Sequence, residues 1–294
     1  MAYSIELLNQ IESWLDSGIL PIPSPGDRVA ELGSQMLNPD TPHDACAKFI
    51  RRFRPDFDEA RLAIVLSNPS APIYVGGIWQ LCGIDYISYD ITEAPHSRLL
   101  DLNFHDVPSA DKQSALFVTN FGTTEHVANQ LNAFRAIHDL LKVGGVAIHI
   151  VPFTGMLNHS LFNYHPKFFF SLIVNNRYRL RHVQFTGPAV HAALDPAHNI
   201  FEGDHVRAHP KLPGSQAWSN TTLYSGGINL VIERRYPDPF VPPVDFAGGY
   251  FGDISSGDLS ALVGVDHLPP NAWADAYRRG VTPTQRGSAL QTAS

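Results

Sequence analysis

One stretch of the sequence, Ala115 to Phe153, has the pattern of a complete strand–helix–strand unit. It begins with an apolar run over Ala115–Thr119 and ends with a second over Val146–Val151, and both have the composition of strands that are covered on both faces. Between them, apolar residues recur at three- and four-residue spacing from Val127 to Leu141, which predicts a helix with one face against a sheet. The stretch therefore predicts two parallel strands joined by a helix, as in α/β sheets.

The ends of this unit predict where a ligand would bind. Lys142 and the pair Gly144-Gly145 are expected to end the helix, since cations and left-handed glycines favour helix C-termini. A right-handed crossover between the strands places residues 120–126 at the carboxyl edge of the sheet, where ligands bind in open α/β sheets.

Polar residues also follow three earlier predicted strands, which begin at Arg28, Tyr86 and Arg98. Glu31 ends the first strand and Gly33 follows it, Asp90 ends the second, and Asn103-Phe104 follow the third. Together they would form a row along one edge of the sheet. Carboxylates for ribose hydroxyls, with an amide and an apolar side chain for adenine, suit a nucleoside.

With these motifs in this order, the chain resembles the class I S-adenosylmethionine-dependent methyltransferases of the small-molecule and glycan type, over roughly Arg28 to Tyr236. The resemblance is carried by five segments: VAELGSQ, YISYD, NFHDVP, TNFGTTEHV and LLKVGGVAIHI. It implies an α/β fold with a Rossmann-like seven-stranded sheet, mostly parallel with the last strand antiparallel. Helices would cover both faces, with insertions and a C-terminal extension.

The resemblance also implies S-adenosylmethionine as cofactor and S-adenosylhomocysteine as product. Asp90 would hold the ribose hydroxyls, Asn103 would take the exocyclic amine of adenine, and Phe104 would supply backbone contact and stacking. The Glu125-His126 pair resembles the acid–histidine pair that begins the following helix in many relatives. The expected cofactor-binding residues are Glu31, Gly33, Gln35, Asp90, Asn103, Phe104, Asn120 and Glu125.

The expected acceptor is a small molecule or sugar, methylated at oxygen by in-line displacement. Such transfer needs an aligned acceptor and, where the acceptor is protonated, a base. His126 and His159 are the candidate bases because both should line the carboxyl edge; the alternative is a helix-buttressing role for His126 and a surface position for His159. Asn158, Asn163 and Tyr164 follow the fifth strand and are expected to contact the acceptor.

Three regions are predicted along the chain. Residues 1–27 form an N-terminal helix and linker, and 28–236 the Rossmann-like domain with insertions at about 38–84 and 187–226. The first insertion should contain two helices and sit above or beside the cofactor. The second is rich in histidine and acids but fits no sharp metal motif, so no metal site is predicted. Residues 237–294 form a Pro/Gly-rich extension, expected to pack on the core or on a second copy in a homodimer.

Composition and charge limit the kinds of partner and the cellular location that we expect for this chain. The net charge of −7 and the lack of a basic patch interleaved with aromatics argue against nucleic acid. No apolar run reaches membrane-spanning length. Cys46 and Cys82 form no metal-type pair and suit a reducing compartment, and the first residues lack a basic signal region, so a cytoplasmic location is expected.

Two other functions stay open at this point. Gln35 and Leu37 stand where the family usually has two further glycines, which permits a catalytically inactive binding or scaffold protein on a degenerate methyltransferase fold. A nucleotide-linked dehydrogenase or epimerase would require the G-x-G-x-x-G turn, which this chain lacks. Cofactor affinity without turnover would favour the scaffold.

Overall fold

The computed structural model of the chain describes residues 2–67, 72–156, 159–187, 225–243, 262–266, 274–275 and 278–279. Within them the chain forms nine strands and six α-helices. In chain order these are β1 (Ala2–Tyr3), α1 (Ile5–Asp16), β2 (Arg28–Leu32), β3 (Met36–Leu37), α2 (His43–Phe53), α3 (Glu59–Leu66), α4 (Gly76–Leu81), β4 (Asp85–Asp90), β5 (Ser97–Leu99), β6 (Ala115–Phe121), α5 (Gln130–Leu140), β7 (Leu141–Thr154), α6 (Pro166–Asn176), β8 (Arg179–Thr186) and β9 (Gly226–Glu233).

Seven of the strands form one sheet in the order β5-β4-β2-β6-β7-β9-β8. Neighbouring strands are parallel from β5 to β7, whereas β9 runs antiparallel to both β7 and β8. The predicted Rossmann-like sheet of seven strands with an antiparallel last strand is therefore confirmed. Strands β1 and β3 pair separately as a short parallel ribbon.

The register of the parallel strands brings their carboxyl ends to one edge. Leu32 at the end of β2 pairs with Tyr89 on one side and Asn120 on the other. The turns after β2, β4, β5 and β6 therefore meet at this edge. Because β9 is antiparallel, it begins at the same edge, and Gly227 pairs there with Thr186 at the end of β8.

Successive residues of the central strands point to opposite faces of the sheet, which gives the protein two hydrophobic layers. Val29 and Phe117 pack with α1, α2 and α4 on one face. Ala30 and Val118 pack with α5 and α6 on the other. Coverage of both faces explains why these strands read as continuous apolar runs.

The predicted end of the helix before β7 is wrong. Helix α5 ends at Leu140, and Leu141 already pairs with Ala115 in the sheet. Lys142 forms an ion pair with Asp27 at 2.5 Å instead of capping a helix. Gly144 lies inside β7, where it adopts a left-handed φ of +83°, so it does not cap the helix.

The described part of the first insertion packs against a face of the sheet. The ring centroids of Phe49 in α2 and Trp79 in α4 are 5.4 Å apart, and those of Trp79 and Phe117 in β6 are 6.4 Å apart. The two predicted helices of the insertion correspond to α2 and α3.

Part of the C-terminal extension packs on α6. The side chain of Asn176 accepts a hydrogen bond from the backbone N–H of Val241 at 2.7 Å and donates one to the Val241 carbonyl at 2.8 Å. Most of the second insertion, including its histidines and acids, lies outside the described residues. None of the helices in the described ranges combines the length and apolar character that crossing a bilayer requires.

Candidate active site

A cavity of about 260 Å³ opens at the carboxyl edge of the sheet, between the turns that follow β2, β4, β5 and β6. Ligand pockets usually measure about 300–1,000 Å³, so its size suits part of a nucleoside-sized ligand. No described residue of the first insertion lines it. Its walls combine backbone turns, carboxylates and aliphatic side chains. The lining residues are Gly33, Ser34, Gln35, Tyr89, Asp90, Ile91, Leu100, Asp101, Leu102, Asn103, Gly122, Thr123, His126 and Val127.

The turn after β2 requires glycine at position 33. Gly33 has a φ of +73°, and its N–H donates a hydrogen bond of 2.8 Å to the carbonyl of Tyr89. A Cβ atom at this position would lie 2.5 Å from Oγ1 of Thr123, which is closer than real Cβ contacts. The single glycine therefore lets two turns approach each other at the cavity.

Asp90 faces the cavity and is held by this turn. Its Oδ2 accepts a 2.7 Å hydrogen bond from the backbone N–H of Ser34, and its Oδ1 accepts bonds of 2.9 Å from the N–H and hydroxyl of Thr92. A carboxylate can accept about four hydrogen bonds, so room for a further donor remains on the cavity side.

Glu31 does not line the cavity, because it is fully buried beneath the turn. Its carboxylate accepts hydrogen bonds from the hydroxyls of Tyr3, Thr119 and Tyr86 and from the backbone N–H of Gln35. Burial raises the pKa of this carboxyl to about 7, while the four donors act in the opposite direction. Glu31 therefore anchors the turn instead of offering a free oxygen to a ligand.

The two residues predicted to contact adenine differ in position. Asn103 lines the cavity, and its Oδ1 accepts a 3.1 Å hydrogen bond from the N–H of Asn129. Phe104 is 82% exposed and is not part of the lining, so in this structure its ring is not placed to stack on a base in the cavity. The aliphatic side chains of Leu100, Leu102 and Val127 lie at the cavity wall instead.

Asn120 and Tyr164 are both buried behind the cavity and fix the turn after β6. The Nδ2 of Asn120 donates a 2.8 Å hydrogen bond to Oγ1 of Thr124, and the hydroxyls of Thr124 and Tyr164 lie 2.8 Å apart. Tyr164 donates its own hydroxyl proton to Oε1 of Gln130 at 2.7 Å. Asn120, which was expected to bind the cofactor, and Tyr164, which was expected to contact the acceptor, thus both hold the turn that carries Glu125 and His126.

Glu125, His126 and His159 come together beside the cavity, which His126 lines. The two imidazole rings have centroids 5.1 Å apart, and Nε2 of His159 lies 3.6 Å from Oε1 of Glu125. The side chain of Glu125 is buried, whereas both histidines are exposed. Burial raises the pKa of the Glu125 carboxyl, and its own backbone N–H and the two histidines act against that rise.

Of the other predicted acceptor residues, Asn163 is exposed and donates a 2.9 Å hydrogen bond to the carbonyl of Gly155. Asn158 lies outside the described residues. The sequence reasoning did not single out Ser34, Asp101 or Thr123, which line the cavity. Their position beside Gly33, Asn103 and Gly122 within the same turns was the only available signal.

No protein-family model and no curated protein matches the sequence. Among solved structures, a geranyl diphosphate methyltransferase in complex with SAM is 13% identical, with 77% of this chain and 85% of that chain covered and a TM-score of 0.42. A putative methyltransferase from Bacillus halodurans C-125 is 7% identical, with 80% and 100% covered and a TM-score of 0.42. A geranyl diphosphate C-methyltransferase from Streptomyces coelicolor A3(2) is 14% identical, with 77% of each chain covered and a TM-score of 0.41. At these identities and TM-scores the matches assign no role to any residue of this chain.

Proposed function

We propose that this protein transfers a methyl group from S-adenosylmethionine to a small-molecule or sugar acceptor, at an oxygen atom. The observation that carries the proposal is the Gly33 turn bonded to Asp90 at the cavity. A backbone turn that a Cβ would fill, beside a carboxylate with a remaining acceptor position, fits the amino acid and ribose parts of this cofactor.

The cavity offers suitable surroundings for an adenosyl group. Asp90 would accept from a ribose hydroxyl, and Asn103 and Asp101 would face the polar edge of the base. Leu100, Leu102 and Val127 supply an apolar surface for the ring faces. Polar groups that fix orientation within an apolar wall are what small-molecule sites use.

The acceptor would lie on the side of His126, which lines the cavity and stands next to His159. When bound, the cofactor supplies an already activated methyl group, which passes to the acceptor oxygen as its bond to sulfur breaks. The protein then has to align the acceptor, which can lower the barrier by roughly 7–11 kcal/mol. His126 or His159 would take the hydroxyl proton in a base-assisted transfer, a step that histidine suits near neutral pH.

Calorimetric titration with S-adenosylhomocysteine and S-adenosylmethionine tests the cofactor part. We expect micromolar binding, about −8 kcal/mol, and at least tenfold weaker binding by an Asp90→Ala variant. Asp85→Ala is the matched control, since Asp85 lies at the opposite end of β4 and pairs with Arg28 on the surface. A folded wild-type protein that binds neither compound would overturn the proposal.

A methyl-transfer assay against a panel of hydroxylated small molecules and sugars tests the reaction itself. Turnover with any of them supports an enzyme. Cofactor binding without turnover across the panel would instead favour a scaffold on the same fold. We also propose a reducing, cytoplasmic location, which Cys46 and Cys82 support because both are buried and unpaired.

A further inference from the structure

We propose that Glu125, His126 and His159 form a binding site for a divalent transition-metal ion beside the cavity. The site stands on its own geometry; only its role towards the acceptor rests on the proposed methyl transfer. Two imidazoles and one carboxylate are a donor set that such ions accept readily.

The three side chains already approach the spacing of metal ligands. One donor atom from each of them lies within 4.8 Å of the other two, and Nε2 of His159 lies 3.6 Å from Oε1 of Glu125. Ligand bonds of about 2.0–2.2 Å require donor atoms about 3 to 3.5 Å apart. The remaining contraction is small, and the exposed imidazoles of His126 and His159 can make it by side-chain rotation.

A second observation comes from Glu125 itself. Its side chain is buried, yet neither carboxylate oxygen has a hydrogen-bond partner on another residue in the described part of the chain. Among the described residues its ion-pair contact is with His159 alone. Burying a carboxylate without a partner is strongly unfavourable, whereas a cation between Glu125 and the histidines would supply the missing counter-charge.

The backbone holds the two halves of the site together. The Glu125 carbonyl accepts hydrogen bonds from the N–H groups of Leu161 and Phe162, at 3.0 and 3.2 Å. These bonds tie the loop that carries His159 to the turn that carries His126. The turn is further fixed by the buried hydroxyl of Thr124. A preformed arrangement of this kind lowers the ordering cost of binding an ion.

The donor set also selects the ion. Imidazole suits Zn²⁺, Fe²⁺, Co²⁺ and Ni²⁺, whereas Mg²⁺ prefers an all-oxygen octahedron. Three protein ligands leave at least one coordination position open, and His126 lines the cavity, so that position would face the acceptor. A bound ion would lower the pKa of an acceptor hydroxyl, which would then release its proton to solvent water, and the coordinated histidines would act as ligands in place of bases.

The test is a titration of the chelator-treated full chain with Co²⁺, followed by its visible absorption, and with Zn²⁺ in a calorimeter. We expect one equivalent to bind, and at least tenfold weaker binding by His126→Ala and by His159→Ala. His105→Ala is the control, because His105 is an exposed histidine outside the cluster. His159→Gln and Glu125→Gln serve as second variants, with thermal unfolding to confirm that each is folded.

Absence of Co²⁺ and Zn²⁺ binding by the folded wild-type chain would overturn the site. Binding that His126→Ala and His159→Ala leave unchanged would overturn it as well, since the ion would then lie elsewhere. Both titrations are made without cofactor or acceptor, so they can fail while S-adenosylhomocysteine still binds beside Asp90. Loss of cofactor binding would conversely leave the metal titration intact.

Discussion

The backbone N–H of Ser34 donates a 2.7 Å hydrogen bond to Oδ2 of Asp90, across 56 residues of sequence. This bond fixes the turn after β2 to the end of β4, so any change that displaces the turn also displaces the carboxylate. The geometry of Gly33, one residue earlier, therefore controls both sides of the proposed cofactor site.

Gly33→Ala is expected to weaken S-adenosylhomocysteine binding more than tenfold. The left-handed φ of +73° costs alanine about 1–2 kcal/mol, and the new Cβ would also meet Thr123. Gly144→Ala is the control, since Gly144 has a φ of +83° but open space around the position of a Cβ. Calorimetry and thermal unfolding should show a stability loss in both variants and an affinity loss in Gly33→Ala alone. Unchanged affinity in Gly33→Ala would remove this turn from the site.

Glu31 should make stability fall as pH rises from about 4.5 to 7. Burial raises the pKa of this carboxyl from 4.5 to about 7, so the folded protein keeps a proton that the unfolded chain loses. This stabilisation is complete below the unfolded pKa and is lost as pH passes the folded pKa. It amounts to on the order of 3 kcal/mol for a rise from 4.5 to about 7.

Denaturant unfolding of wild type and Glu31→Gln at a series of pH values measures this effect. The Gln variant loses hydrogen bonds at every pH, so the readout is the slope with pH and not the absolute stability. The difference between the two proteins should shrink between pH 4.5 and 7. Parallel curves would show that Glu31 titrates at its ordinary pKa.

His149 should destabilise the protein in acid. It is fully buried and stacks on Phe134 at 5.7 Å, and burial lowers its pKa from 6.5 to about 3. The stabilisation from neutral His149 is therefore present above pH 6.5 and is lost as pH falls, which lowers the free energy of unfolding by about 2 kcal/mol at pH 5. His149→Phe should flatten this acid limb in unfolding measurements, while the exposed His105→Asn should not. His138, with its pKa lowered to about 4, will leave part of the slope in place.

Tyr164→Phe should lower stability without changing cofactor affinity. The variant leaves Oε1 of Gln130 without the donor that Tyr164 supplies and removes the hydroxyl beside Oγ1 of Thr124, which typically costs about 1–3 kcal/mol. Because Tyr164 does not line the cavity, S-adenosylhomocysteine affinity should stay within about threefold of wild type. A raised KM for the acceptor at unchanged stability would instead support the sequence-based prediction that Tyr164 contacts the acceptor.

The sequence predicted the architecture well because the signals for its strands and helices are local. Apolar runs marked the central strands, and the stripe from Val127 marked α5. The end of that helix was mispredicted because Leu141 fits both the helix stripe and a strand. Leu141 joins the strand because it pairs with Ala115, a contact that is made only in the folded sheet.

The candidate site was only partly predictable. Sequence order placed Gly33, Asp90 and Asn103 at one edge, since parallel strands end together. Sequence order could not show that the Glu31 carboxylate accepts a hydrogen bond from Tyr86, 55 residues away, or that Phe104 is exposed to solvent. Such outcomes depend on side-chain direction and on long-range packing, neither of which periodicity records.

Strand β9 begins, and β8 ends, at the carboxyl edge of the sheet, with Thr186 opposite Gly227. The chain between them, residues 188–224, therefore starts and finishes at two points that the strand pairing already holds together. Those points lie on the half of the sheet away from Gly33 and Asp90. Evolution could lengthen, shorten or replace this insertion without altering the turn after β2.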